Sequence, residues 1–91
     1  MLESVKDALR VSGTDLNGEI QGLIDGAKAD LKLSGVASAK ISDTDPLIKR
    51  AVILYCKAHF GYDDTNISSR FEQSYTSLKQ HLTLSTEYTE V

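Results

Sequence analysis

At 91 residues the chain is long enough for one domain, and its 41% of hydrophobic residues supports a single core with little surplus. Ten Lys and Arg against thirteen Asp and Glu give a formal net charge of −3, which argues against tight binding of nucleic acid through charge alone. A single cysteine, Cys56, excludes an intramolecular disulfide, and the longest apolar run, Ala51–Cys56, is too short to span a membrane. The N-terminus lacks the basic start and apolar core of a signal peptide, so we expect a soluble protein made inside the cell.

Two helices are predicted in the first third of the chain. The first covers residues 2–11. The second begins after a cap at Thr14 or Asp15 and ends before a left-handed turn at Gly35. Apolar residues of this second helix recur at the helical period and form its buried stripe: Leu16, Ile20, Leu23, Ile24, Ala27 and Leu31.

The third predicted helix, from Asp45 to Phe60, is unusually apolar. Asp45 is a good capping residue, and Pro46 suits the first helical position, where a missing N–H costs nothing. Apolar residues cover about half of its surface, roughly twice the stripe of an ordinary surface helix, so it should lie at the centre of a bundle. The preceding residues 36–44 are predicted to form a loop with a short extended piece over 36–41. We expect the core positions of the third helix to be Leu47, Ala51, Leu54, Tyr55 and Ala58.

A turn over Gly61–Asn66 leads to a fourth helix, for which Ser68 or Ser69 is the predicted cap. Its apolar stripe is narrow and contains Phe71, Tyr75, Leu78 and Leu82. Residues 83–91 contain three Thr, one Tyr and one Val and show no helical period, so they predict an extended tail or a strand that needs a partner. The predicted fold is therefore all-α: a small four-helix bundle over residues 1–82, with a central buried third helix and an extended C-terminal tail over 83–91.

No set of residues in the sequence has the composition and spacing of a catalytic, cofactor or metal site. Cys56 and His59 lie three residues apart on one helix, but two ligands are too few for a structural zinc site. A nucleophilic pair of the same residues would need an orienting group and an oxyanion site, and neither is evident. We therefore predict that the protein is not an enzyme, that it holds no metal or cofactor, and that Cys56 is a small buried hydrophobe.

The second helix carries small residues on the side opposite its apolar stripe. Gly18, Gly22 and Gly26 follow at intervals of four, and Ala29 and Leu33 fall on the same side. Each interior glycine costs about 1 kcal/mol relative to alanine, so close approach of another backbone would explain their presence. We predict that these five residues form an interface between subunits; the alternative is a solvent-facing helix in which the glycines are tolerated.

The order of these features resembles the head–tail connector proteins, also called head-completion or adaptor proteins, of long-tailed bacteriophages and prophages. The resemblance covers roughly residues 2–84 and is carried by the second and third helices, DLNGEIQGLIDGA at 15–27 and DPLIKRAVILYCKAHF at 45–60. It implies a structural virion protein at the head–tail junction, made in the host cytoplasm. The implied assembly is a ring that docks beneath the portal, extends the DNA channel toward the tail and completes the head.

The resemblance also implies the partners. These are the portal protein, a stopper or tail-completion protein and further copies of the chain in the ring, with a monomer as the alternative state of the free chain. DNA passes through without specific binding, and no membrane is involved. In the tail, Leu84, Tyr88 and Val91 are apolar anchors that we expect to dock on the portal or a neighbouring subunit. The alternative is a small helical DNA-binding or regulatory module of a mobile element. Against it, the second helix begins with acidic residues, whereas a recognition helix needs cations.

Overall fold

All regular structure in the described part of the chain, residues 1–60 and 65–89 of a computed structural model, is helical. The helices are α1 (Leu2–Leu9), α2 (Asn17–Leu33), α3 (Pro46–His59), α4 (Thr65–Leu84) and α5 (Thr86–Thr89), with one 3₁₀ turn at Ser38–Lys40. The predicted all-α bundle is confirmed. The 3₁₀ turn replaces the extended piece expected over residues 36–41, and the turn predicted over Gly61–Asn66 lies largely outside the described residues.

Helix α3 is the centre of the bundle, as predicted, because it packs against α1, α2 and α4. Asp45 caps it as expected, and Pro46 occupies its first turn. The surrounding helices supply the rest of one core, in which α2 contributes a fully buried stripe at the predicted positions Ile20, Ile24, Ala27 and Leu31. From α4, Tyr75 and Leu82 are buried in the same core.

The core face of α3 is rotated from the predicted one. The fully buried positions are Ile48, Ala51, Val52 and Cys56. Of the predicted core positions only Ala51 is among them: Leu54, Tyr55 and Ala58 are half-buried, and Leu47 is 37% exposed. The reason is that apolar residues occupy so much of this helix that periodicity alone does not decide which side faces the neighbours.

Two predicted caps are wrong. Helix α2 begins at Asn17 without a side-chain cap, and a backbone bond from the N–H of Asn17 to the carbonyl of Thr14, 3.2 Å long, forms the turn before it. Helix α4 begins at Thr65, so Ser68 and Ser69 lie inside its first turns. Serine before an apolar run favours a helix start, but α4 extends N-terminally through residues of lower helix propensity.

The C-terminal segment also differs from the predicted extended tail. Residues 83 and 84 complete α4, and residues 86–89 form the short helix α5. Within α5 the phenol ring of Tyr88 is buried, with 8% of its surface exposed, and Thr89 Oγ1 donates to the carbonyl of Ser85 over 3.0 Å. Strand propensity favours extension only where a partner strand is present. Here burial of one aromatic side chain in the chain's own core decides the conformation instead.

Candidate assembly surfaces

Asp45 joins the start of α3 to the C-terminal segment. Its carboxylate accepts hydrogen bonds from the backbone N–H groups of Leu47, at 2.9 Å, and Ile48, at 3.2 Å. The same carboxylate accepts a hydrogen bond from the phenol of Tyr88, whose Oη lies 3.0 Å from Oδ2 and 3.2 Å from Oδ1. The carbonyl of Tyr88 in turn accepts the N–H of Ala37 over 2.8 Å. The C-terminal segment is therefore tied to the α2–α3 connection and to the first turn of α3.

The three residues predicted to dock on a partner lie in different environments. Tyr88 is packed into its own chain, where burial, and then the hydrogen bond to Asp45, raises the pKa of its phenol above the usual value. Leu84 is 85% exposed at the end of α4. Val91 lies outside the described residues. Of the two described residues of this set, Leu84 is the one that presents an apolar side chain to solvent.

The small-residue face of α2, defined as Gly18, Gly22, Gly26, Ala29 and Leu33, is explained only in part by contacts within the chain. A Cβ atom added at Gly26 would lie 3.3 Å from the phenol oxygen of Tyr55, so this glycine makes room for the half-buried ring of Tyr55. At Gly18 and Gly22, an added Cβ would meet no atom of the described residues within 4 Å beyond its chain neighbours and the backbone of α2. Ala29 is exposed, and Leu33 is 87% exposed. Internal packing therefore accounts for one of the three glycines.

A polar cluster links α2 to α4 beside this face. The phenol of Tyr75 donates a short hydrogen bond to Asp30, and Lys79 Nζ lies 3.0 Å from the same carboxylate oxygen. Burial alone would raise the pKa of Asp30, but the bonds from Tyr75 and Lys79, with the charge of Lys79, hold that pKa below its usual value. Burial and the neighbouring carboxylate raise the pKa of Tyr75 far above the ordinary phenol value. The lowered pKa of Asp30 and the raised pKa of Tyr75 indicate a structural hydrogen bond from a neutral phenol to an ionised carboxylate.

Cys56 and His59, the candidates for a metal or nucleophilic pair, lie in different environments. The thiol is buried, which raises its pKa to about 11 and keeps it protonated. The His59 ring packs against the Tyr55 ring at a tilt of 42°, with ring centroids 4.4 Å apart, and its Nε2 lies 3.2 Å from Glu72 Oε2. Across residues 1–60 and 65–89, no group of three or more His, Cys, Asp or Glu side chains is placed to hold a metal ion. The same residues include no helix with the length and hydropathy of a membrane span.

A family model described as phage connector protein matches residues 1–89, almost the whole chain. The chain belongs to the phage connector protein family. No characterised protein sequence and no solved structure gives a significant match. Membership gives this connector a structural role at the head–tail junction of the virion, within a family of structural proteins rather than enzymes.

Two features of the connector escaped the sequence reasoning. The first is the Asp30–Tyr75 bond, whose residues are 45 positions apart, and the second is the Asp45–Tyr88 bond, across 43 positions. Asp30 lies at the border between the apolar stripe and the small-residue face of α2, and an acid at such a border is a weak signal of a buried partner. The sequence clearly identified Asp45 as a helix cap. A capping role does not indicate, however, that the same carboxylate also accepts a hydrogen bond from a distant side chain such as Tyr88.

Proposed function

We propose that the connector assembles into a ring beneath the portal of the filled capsid, extends the DNA channel toward the tail and completes the head. Its partners in this proposal are the portal protein, a stopper or tail-completion protein and further copies of the same chain. DNA passes through the ring without sequence-specific contacts, which suits a chain with a net charge of −3. Family membership supports the connector role, and the unfilled face of α2 supports the self-association.

The observation that carries the ring is the open surface around Gly22. Gly22, in the interior of α2, lowers its stability by about 1 kcal/mol relative to alanine, and among the described residues no atom fills the space that Gly18 and Gly22 leave. Leu33 continues the same face with an almost fully exposed apolar side chain. Packing of a neighbouring subunit would bury Leu33 and would use the close approach that glycine permits. In a ring, each subunit uses one patch to contact the next subunit and a different patch to contact the previous one. The ring therefore needs free surfaces of this kind.

The C-terminal segment is the proposed contact with the portal or a neighbouring subunit, through Leu84, Tyr88 and Val91. Leu84 is available without rearrangement. Tyr88 would have to exchange its bond with Asp45 for a bond to the partner, since its side chain is buried in the free chain. Truncation after Leu82 is therefore expected to weaken both the fold and docking, whereas Leu84→Ser should weaken docking alone.

The ring is tested by adding bulk to the open glycine. Gly22→Leu should keep the helical circular dichroism and should keep or raise the melting temperature, because leucine has the higher helix propensity and none of the described residues opposes the first atom of the new side chain. In the assembly the added side chain would overpack the contact, so the ring seen for the parent by native mass spectrometry and electron microscopy should be lost. Gln80→Leu, which adds a similar side chain at an exposed position of α4, is the matched control and should assemble like the parent. A ring of unchanged size and yield from Gly22→Leu would remove the small-residue face from the proposed interface.

A further inference from the structure

The charges of the connector are unevenly distributed over its helices. Helix α3 contains Lys49, Arg50 and Lys57 and no acidic residue. Helix α2 has Glu19 and Asp25 in its first half, and its two lysines lie farther toward its C-terminus. Although the net charge is −3, the domain therefore contains one basic helix, α3, and one helix with an acidic first half, α2.

The cations of α3 share its outer side. At 100° per residue, Lys49, Arg50, Ile53 and Lys57 fall within an arc of about 100° that borders the buried residues on the Lys49 side. Arg50 is exposed, and Lys49 and Lys57 are half-exposed. Among residues 1–60 and 65–89, none of these three cations forms an ion pair, although Lys57 Nζ lies over the ring of Phe71 in α4, 5.1 Å from its centroid. We call Lys49, Arg50, Ile53 and Lys57 the basic face.

The exposed acids of α2 flank its open glycine. Glu19 and Asp25 fall on either side of Gly22 around the helix, and both are exposed. Gln21 donates a hydrogen bond to Asp25 over 3.0 Å, but within the described residues neither acid is paired with a cation. Lys28, the nearest lysine along the helix, is already 2.8 Å from Asp43. We call Glu19 and Asp25 the acidic rim.

We propose that the basic face of one connector subunit docks on the acidic rim of a second copy of the same chain. This inference rests on the proposed ring and names the two surfaces that meet in it. Helices α2 and α3 pack together through their buried stripes and through Tyr55 at Gly26, and Gly22, Asp25 and Arg50 are exposed outside that contact. The basic face and the acidic rim of one molecule therefore cannot meet each other. A head-to-tail contact between copies would pair the two surfaces in every subunit.

The order of residues on the two surfaces also matches. Along α3, Ile53 lies between Arg50 and Lys57, and along α2, Gly22 lies between the two acids of the rim. Ile53 is half-buried against its own core, so in the docked pair its exposed part would meet the open surface at Gly22, while the cations reach the carboxylates beside it. DNA fits the same basic face less well, because the acidic rim and the net charge of −3 repel a polyanion.

Charge reversal tests the pairing. Arg50→Glu should raise the concentration for half-assembly by about tenfold or more, because it places like charges opposite each other, and Asp25→Arg should do the same. Lys40→Glu reverses an exposed charge on the 3₁₀ turn, outside both surfaces, and should leave that concentration unchanged. Both positions of the pair are solvent-exposed, so circular dichroism should show each variant folded. Light scattering across a concentration series gives the readout.

The decisive measurement is the double variant Arg50→Glu with Asp25→Arg in one chain. Every contact in its ring would carry the swapped pair, so assembly should return to within about threefold of the parent. Single variants that assemble like the parent would overturn the inference and leave the ring intact. Single variants that block assembly without recovery in the double variant would overturn the pairing.

Two further outcomes separate this inference from its alternatives. A parent chain that stays monomeric at every concentration, alone and with the portal, would overturn both the inference and the proposed ring. If Arg50→Glu assembles normally but loses weak retention of duplex DNA in a gel shift, the basic face contacts nucleic acid and the inference is wrong. Raising NaCl to about 0.5 M should weaken parent assembly, since exposed charge pairs are screened there.

Discussion

Removing one oxygen atom from Tyr88 should measurably destabilise the connector. The phenol of Tyr88 bonds both oxygens of Asp45, and hydrogen bonds to charged groups contribute about 1.5–3 kcal/mol. In Tyr88→Phe the ring stays buried, and Asp45 keeps the backbone donors of Leu47 and Ile48, so the carboxylate is not left without partners. We therefore expect the lower end of the range, about 1–2 kcal/mol of unfolding free energy, or about 5–15 °C in melting temperature.

Urea unfolding followed by far-ultraviolet circular dichroism gives the free energy, with Thr86→Ala as the control at an exposed position of the same short helix. Asp45→Asn, which preserves a capping side chain, completes a double-mutant cycle in which the coupling to Tyr88→Phe should be about 1 kcal/mol. A loss for Tyr88→Phe no greater than about 0.5 kcal/mol, the range of ordinary surface substitutions, would refute the role of this bond.

The same bond predicts a pH dependence. The pKa of Tyr88 is raised in the folded chain, first by burial and then by the bond to Asp45. A raised pKa means that the neutral phenol stabilises the fold at every pH below the unfolded value of about 10, and that this contribution is lost as the pH rises through the folded pKa. The difference in stability between the parent and Tyr88→Phe should therefore be constant near neutral pH and should shrink above about pH 10.

Three further predictions concern the bundle. Asp30→Asn should cost about 1 kcal/mol at neutral pH by weakening the bond from Tyr75. Because the pKa of Asp30 is lowered on folding, this cost should diminish below about pH 4, which urea titrations at both pH values would show. Ile48→Ala should cost about 2–5 kcal/mol and Leu47→Ala far less; equal losses would contradict the rotated core face. The buried thiol of Cys56 should resist a thiol reagent in the native chain and react fully in urea, so rapid native labelling would count against its burial.

The periodicity of apolar residues was sufficient to predict the four main helices and the central place of α3. It failed at the finer level of orientation, where Leu47 is exposed and Ile48 fully buried although the two are equally apolar. On a helix that is apolar over half its surface, the neighbours decide which residues are buried, and their positions are set by tertiary contacts. The same limit applied to Tyr88, whose conformation depends on Asp45, 43 residues away.

The candidate surfaces were partly visible in the sequence. The spacing of Gly18, Gly22 and Gly26 marked the outer side of α2, but the contact of Gly26 with Tyr55 required the packed structure. The basic face was also visible, because Lys49, Arg50 and Lys57 share the narrow polar side of an otherwise apolar helix. The helical period gives the residues that share a side, whereas their exposure and their partners within the chain depend on the packed fold.

One carboxylate serving two elements has a consequence for how the native connector opens. The amides of Leu47 and Ile48 are held by Asp45, which also holds Tyr88, and Tyr88 holds the amide of Ala37. If the C-terminal segment detaches, the Ala37 amide loses its acceptor at once and the first turn of α3 loses a partner of its cap. In native-state hydrogen exchange the Ala37 amide should therefore exchange with an opening free energy below that of global unfolding, while the amides of Leu47 and Ile48, still held by Asp45, should stay protected in that opening.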